Sequence, residues 1–229
     1  MAQIIAILLE IALMDSFRLC LALGPLSVYL LLLGVINLSR RPLLVTGGRD
    51  LAALGVGVSG LILIGPVELL LPEDAINAYQ KYVWLLLIAM YALCVSLAAL
   101  IARPRLTIYN ISVEQLRPML AAAIAALDAD ARWAGSSLVL PGLHVELHLE
   151  PNPLMRNVSL VASGEEQSYA GWRQLETAIS ERLRPAGSPA NPWGVALAGV
   201  AVLMFGVMAW QMVEHPQAIA ESFRDMLRL

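Results

Sequence analysis

The sequence predicts a membrane all-α bundle of four transmembrane helices that carries an inserted small α+β two-layer domain. Three observations predict it. The chain is 59% hydrophobic and only 14% charged, with a mean hydropathy of +0.70, where a soluble domain is about 45–50% apolar and about 25% charged. A core built from 229 residues cannot hide that excess, because more than half of a globular surface is already apolar, so a second apolar solvent is needed. Four stretches also reach the roughly 20 apolar residues that a helix needs to cross about 30 Å of hydrocarbon. Between 103 and 187, finally, charges become frequent and the apolar residues turn periodic.

Residues 1–102 form an N-terminal membrane region, with spans at about 19–38, 51–71 and 82–102. None has a charge near its centre. Backbone groups in lipid must be satisfied within the segment, so the spans are helices. The stretch 2–14 (AQIIAILLEIALM) is too short to span alone and is interrupted by Glu10. It lacks a basic leader and a small-residue cleavage site, which disfavours a signal peptide. The expectation is an extension of the first helix or an interfacial helix. Asp15 and Arg18, spaced i, i+3, can pair on one face at its boundary.

The insert, 103–187, reads β-α-β-β-β-α. Arg105 to Asn110 (RLTIYN) is a strand, and Ser112 with Gln115 three residues on makes a capping box for a helix. Leu116, Leu120, Ile124 and Leu127 give that helix one apolar stripe. Ser137 to Leu140 is a strand ending at the Pro141–Gly142 turn. Leu143 to Glu150 alternates, with leucines and Val145 on one face and His144, Glu146, His148 and Glu150 on the other. Asn157 to Ala162 is the next strand, and a helix at 169–183 aligns Trp172, Leu175, Ile179 and Leu183. Alternation implies one buried and one wet sheet face, and two amphipathic helices suit the buried one. Residues 188–229 comprise a Pro-rich linker, the fourth span (about 193–213) and an amphipathic C-terminal tail.

Orientation follows the basic residues near the span ends. Arg40, Arg41, Arg49, Arg103, Arg105, Arg182 and Arg184 collect on one side, and Arg18, Lys81, Arg224 and Arg228 on the other. The domain is therefore expected in the cytoplasm, with both termini outside. Of 15 basic residues only Lys81 is a lysine, which together with the Ala, Leu, Gly and Pro bias suggests a GC-rich bacterial genome and so an inner-membrane location. Tyr79, Tyr82, Trp84, Trp193 and Trp210 fall at span ends, as interface anchors do.

Few residues suggest chemistry. His144-x-Glu146-x-His148 on a strand offers zinc-ligand spacing, but the wet face of an alternating strand accounts for the same residues without a metal. Glu10 and Glu68 are ionisable groups in apolar segments and so candidates for proton or cation handling; Glu68 is one turn from the span end at Pro72 and can reach water. The Ser39 to Asp50 loop (SRRPLLVTGGRD) reads as a basic topogenic cluster plus a turn. No P-loop is present, and Val56 to Gly60 (VGVSG) lacks the strand–turn–helix setting of a nucleophile elbow. Cys20 and Cys94 lie in apolar segments and read as packing. A net charge of -3 gives no reason to expect a nucleic-acid partner.

The reading is a non-enzymatic membrane subunit or scaffold whose cytoplasmic domain mediates protein–protein interaction within a larger membrane assembly. Its expected partners are the lipid bilayer and other protein subunits, further copies of the chain included, with no cofactor. Glycine faces (Gly55, Gly57, Gly60; Gly194, Gly199, Gly206) suit close helix packing, within or between chains. The alternatives are a small transporter or channel component using Glu10 and Glu68, and a metal-dependent membrane enzyme using His144 and His148.

Overall fold

The computed structural model describes residues 16–67, 81–153, 155–165, 167–214 and 216–217. Among them are helices α1 (Ser16–Leu38), α2 (Gly47–Ile62), α3 (Lys81–Ile101), α4 (Val113–Leu127), α5 (Tyr169–Leu183) and α6 (Trp193–Glu214). The strands are β1 (Leu43–Thr46), β2 (Arg105–Tyr109), β3 (Arg132–Ala134), β4 (Ser137–Leu140), β5 (Val145–Asn152) and β6 (Asn157–Ala162). Among the described residues, four helices are long and apolar enough to cross a membrane: α1, α2 together with the start of the π turn after it, α3 and α6. Helix α1 is described from Ser16 onward and α2 starts at Gly47, both ahead of the expected span starts at 19 and 51. The π turn Leu63–Val67 contains Pro66, whose missing N–H breaks the regular helical ladder. The remainder of the expected second span lies outside the described residues, as do 1–15 and most of the tail.

The chain divides into two compact units. One consists of helical segments, and α2 organises it through its glycines. A Cβ on Gly60 would lie 2.1 Å from the Leu21 carbonyl oxygen and 2.8 Å from that of Ala22, so α1 and α2 meet backbone to backbone there. Pro25 explains why Leu21 is the point of approach. It cannot donate to the carbonyl four residues before it, which leaves the Leu21 oxygen without its usual intrahelical partner. Gly57 packs on the Tyr29 ring and Gly55 on Val95, and the Tyr91 hydroxyl donates to the Gly55 carbonyl at 2.6 Å. The small residues of α2 thus serve packing inside the chain. Gly199 and Gly206 of α6 have nothing within 4 Å of a Cβ position.

The second unit is formed by Leu33–Ala52 and Ala98–Leu197. Its sheet is antiparallel throughout, in the order β1-β2-β6-β5-β4-β3. Two strands exceed the expected set. β1 comes from the Ser39 to Asp50 loop and pairs with β2, Leu44 opposite Ile108 and Val45 opposite Thr107. β3 forms a hairpin with β4 and is exposed along its length. Arg117 of α4 steadies it, with its guanidinium 5.5 Å from the Trp133 ring centroid and a bond to the Gly135 carbonyl at 3.1 Å. The Gly142 turn is held by Asp128, whose carboxylate accepts from the Gly142 amide at 2.8 Å.

Alternation sends Leu106, Ile108, Leu138, Leu140, Val145, Leu147, Val158 and Leu160 to one face. There they meet Leu116, Leu120 and Ile124 of α4 and Trp172, Leu175 and Ile179 of α5, all buried. Each such side chain contributes about 1.5–3 kcal/mol by leaving water, and together they hold the two layers.

The expected Pro-rich linker is more than a spacer. The Asn191 amide donates to the Asn37 carbonyl at 2.8 Å and the Ser188 amide to that of Arg40 at 2.9 Å. Asn191 Nδ2 donates to Asn37 Oδ1 at 3.1 Å, with both residues almost wholly buried. Asn110, in the left-handed region at φ 58°, donates its side-chain amide to the Ser39 carbonyl. These bonds join the end of α1, the start of α6 and the corner after β2.

Candidate functional site

The sheet face away from α4 and α5 is where the chain concentrates outward-facing polar groups. On β2 the alternation that buries Leu106 and Ile108 turns Arg105, Thr107 and Tyr109 to this face. On β6 it presents Asn157 and Ser159, and on β5 Glu146, His148 and Glu150. Arg105, Thr107, Tyr109, Glu150, Asn152, Asn157 and Ser159, with Asp50, surround a hollow of about 290 Å³.

Asp50 comes from outside the sheet. β1 ends at Thr46 and α2 starts at Gly47, where a Cβ would sit 3.0 Å from the Arg105 Cβ. Glycine therefore lets the chain turn tightly over β2 and delivers the first turn of α2 to the open face. There Asp50 Oδ2 accepts from Arg105 Nη2 at 2.9 Å and Oδ1 accepts from the Tyr109 hydroxyl at 2.5 Å. The carboxylate also sits in the first turn of a helix, where the dipole favours negative charge. Beneath it Thr107 is 3% exposed, and its hydroxyl lies 3.3 Å from that of Ser159. On the neighbouring strand His148 Nε2 and Glu150 Oε1 are 2.7 Å apart. The polar groups are thus largely held in place by one another and offer preformed donors and acceptors around a cavity.

The residues singled out from the sequence are arranged differently. β5 begins at Val145, because Pro141–Leu143 forms a 3-10 turn and His144 caps it in the left-handed region at φ 51°. His144 is therefore not in the strand ladder with Glu146 and His148, which corrects the expected strand at 143–150. Glu146 and His148 do share a strand face, but His148 is engaged with Glu150. No group of three or more His, Cys, Asp or Glu that could hold a metal occurs among the described residues. Glu10 and Glu68 lie outside the described residues. Cys20 and Cys94 are free thiols.

Asp50, Thr107, Tyr109 and Ser159 were not apparent as a group in the sequence. Period-two alternation in RLTIYN and NVSLVA marks the outward-facing members. Nothing local marks Asp50, since its partners are 55 and 59 residues away in the chain. Comparison with protein-family models, with characterised proteins and with solved structures finds no match.

Proposed function

We propose that the chain is a non-enzymatic multi-pass protein of the bacterial inner membrane, whose α+β domain lies in the cytoplasm and docks a protein partner within a larger membrane assembly. The observation that carries the reading is the open sheet face, with its polar hollow and interlocked Asp50, Arg105 and Tyr109. A surface whose side chains are already held loses little rotamer entropy on binding, and preorganisation of this kind favours recognition. Charged and amide groups around a concave floor suit a polar partner segment, with hydrogen bonds giving the specificity. The four helices of membrane-spanning length support the location, and the arginine asymmetry supports the orientation.

Site-specific photocrosslinking in native membranes tests this. A photoreactive residue at Ser159 should give a discrete protein adduct, and the same residue at Ala122, exposed on α4, should not. Absence of an adduct at Ser159, or equal labelling at both positions, refutes docking on the open face. With Cys20 and Cys94 replaced by alanine, a cysteine at the exposed Glu165 position that is modified by a membrane-impermeant reagent only after cells are opened supports the cytoplasmic orientation; modification in intact cells overturns it.

A further inference from the structure

A second cavity is lined by the start of α2, the end of α3, the start of β2 and the beginning of α5. It measures about 410 Å³, within the roughly 300–1,000 Å³ of small-molecule pockets. Ala99 and Leu100, from the last turn of α3, give it an apolar wall. Arg103 and Arg173 line it as well, and neither guanidinium has an ion-pair or hydrogen-bond partner among the described residues. Arg105, also at its edge, is neutralised by Asp50. Glu176 is the acidic group in the lining, so two unpaired cations against one carboxylate leave a surplus of one positive charge.

We propose that this cavity seats the head group of an anionic phospholipid. The inference rests on the membrane reading but not on a protein partner at the open face. Three features select this occupant. The lining passes from the apolar end of a helix of membrane-spanning length to two arginines, the same polarity gradient that a phospholipid shows from acyl chain to phosphate. Guanidinium forks bind phosphate oxygens in bidentate fashion and are weakly hydrated, so their desolvation costs less than that of an ammonium. The surplus of one charge matches the single negative charge of a phosphatidylglycerol head group and leaves a zwitterionic head group uncompensated. Tyr169, 73% exposed at the rim, adds an amphipathic ring of the kind that favours the headgroup level.

The test is native mass spectrometry of the full-length protein in mild detergent, titrated with phosphatidylglycerol, phosphatidylcholine or inorganic phosphate. The expected result is one retained phosphatidylglycerol per chain, at roughly tenfold lower concentration than phosphatidylcholine, with inorganic phosphate at millimolar level failing to displace it. The double substitution R103A/R173A should abolish the preference. Gly48→Leu tests the cavity independently: it fills the lining and keeps both arginines, and should reduce retention as strongly. A circular-dichroism spectrum matching that of the unaltered protein certifies each variant as folded. Equal retention of the two lipids, displacement by inorganic phosphate, or unchanged preference in folded R103A/R173A overturns the proposal.

Discussion

The Asp50–Tyr109 hydrogen bond invites a double-mutant cycle, because it couples the first turn of a membrane-length helix to the open face of the sheet. Asp50→Asn keeps the shape and an acceptor but removes the charge. The bond from Tyr109 then falls from a charge-assisted one, about 1.5–3 kcal/mol, to a neutral one, about 0.5–1.5 kcal/mol. The Arg105 ion pair goes too; with side chains 40% and 18% exposed, it is worth up to about 1 kcal/mol. The expected loss for Asp50→Asn is therefore about 1.5–2 kcal/mol. Tyr109→Phe removes the same hydrogen bond from the other end, and the cycle cancels whatever else the ring touches.

The coupling energy should be about 1 kcal/mol. Urea titration of the detergent-solubilised protein, followed through tryptophan fluorescence, measures it; one of the five tryptophans, Trp172, is 6% exposed in the domain core. With a urea dependence of about 1–3 kcal/mol per molar, Asp50→Asn should lower the midpoint by about 0.5–2 M. Strict additivity, a coupling within about 0.3 kcal/mol of zero, would show that Asp50 and Tyr109 do not act as a pair and would remove the argument for a preorganised face.

Gly60→Ala should destabilise the helical unit by about 1–3 kcal/mol or more, because its Cβ would meet the Leu21 carbonyl at 2.1 Å. Gly199→Ala has open space and should be neutral or slightly stabilising; comparing the two by thermal unfolding in detergent checks the close approach. Asn37→Ala leaves the buried Asn191 side chain without that partner and should cost about 1–3 kcal/mol, read as earlier proteolysis of the 185–192 linker. Glu114, hydrogen-bonded by Ser112 and by its own backbone amide, holds its carboxyl below the ordinary value, about 4.3 for glutamate. A depressed folded-state pKa adds stability that is present above the unfolded value and is lost as pH falls through the folded one. Glu114→Gln should accordingly remove that increment at neutral pH and flatten the acid limb of a stability–pH curve below about pH 4.3, where the two proteins converge.

The four long apolar helices and the strand-and-helix pattern between the third and fourth were legible because they depend on local pattern. Twenty apolar residues can be counted, and a stripe such as Leu116, Leu120 and Ile124 or an alternation such as Val145, Leu147 and Leu149 states its own face. β1 was hidden because LLVT is four residues long and sits between two arginines and two glycines; only pairing with β2, more than 60 positions later, makes it a strand. The same long separation hid Asp50, whose neighbours in sequence are a turn and a span, and whose partners are on another element.

His144 shows the reverse error. Its place in an alternating run suggested a strand, but Pro141–Gly142 starts a 3-10 turn, and the chain must pass through the left-handed region at His144 before β5 can begin. What the sequence determined by itself was which segments are apolar throughout and which are apolar on one side, since solvent preference is a property of each residue and its near neighbours. The tertiary structure alone decided which polar residues meet: Asp50 with Arg105 and Tyr109, and Arg103 with Arg173 around one cavity. Those encounters join groups tens of residues apart in the chain, and only folding brings them within reach.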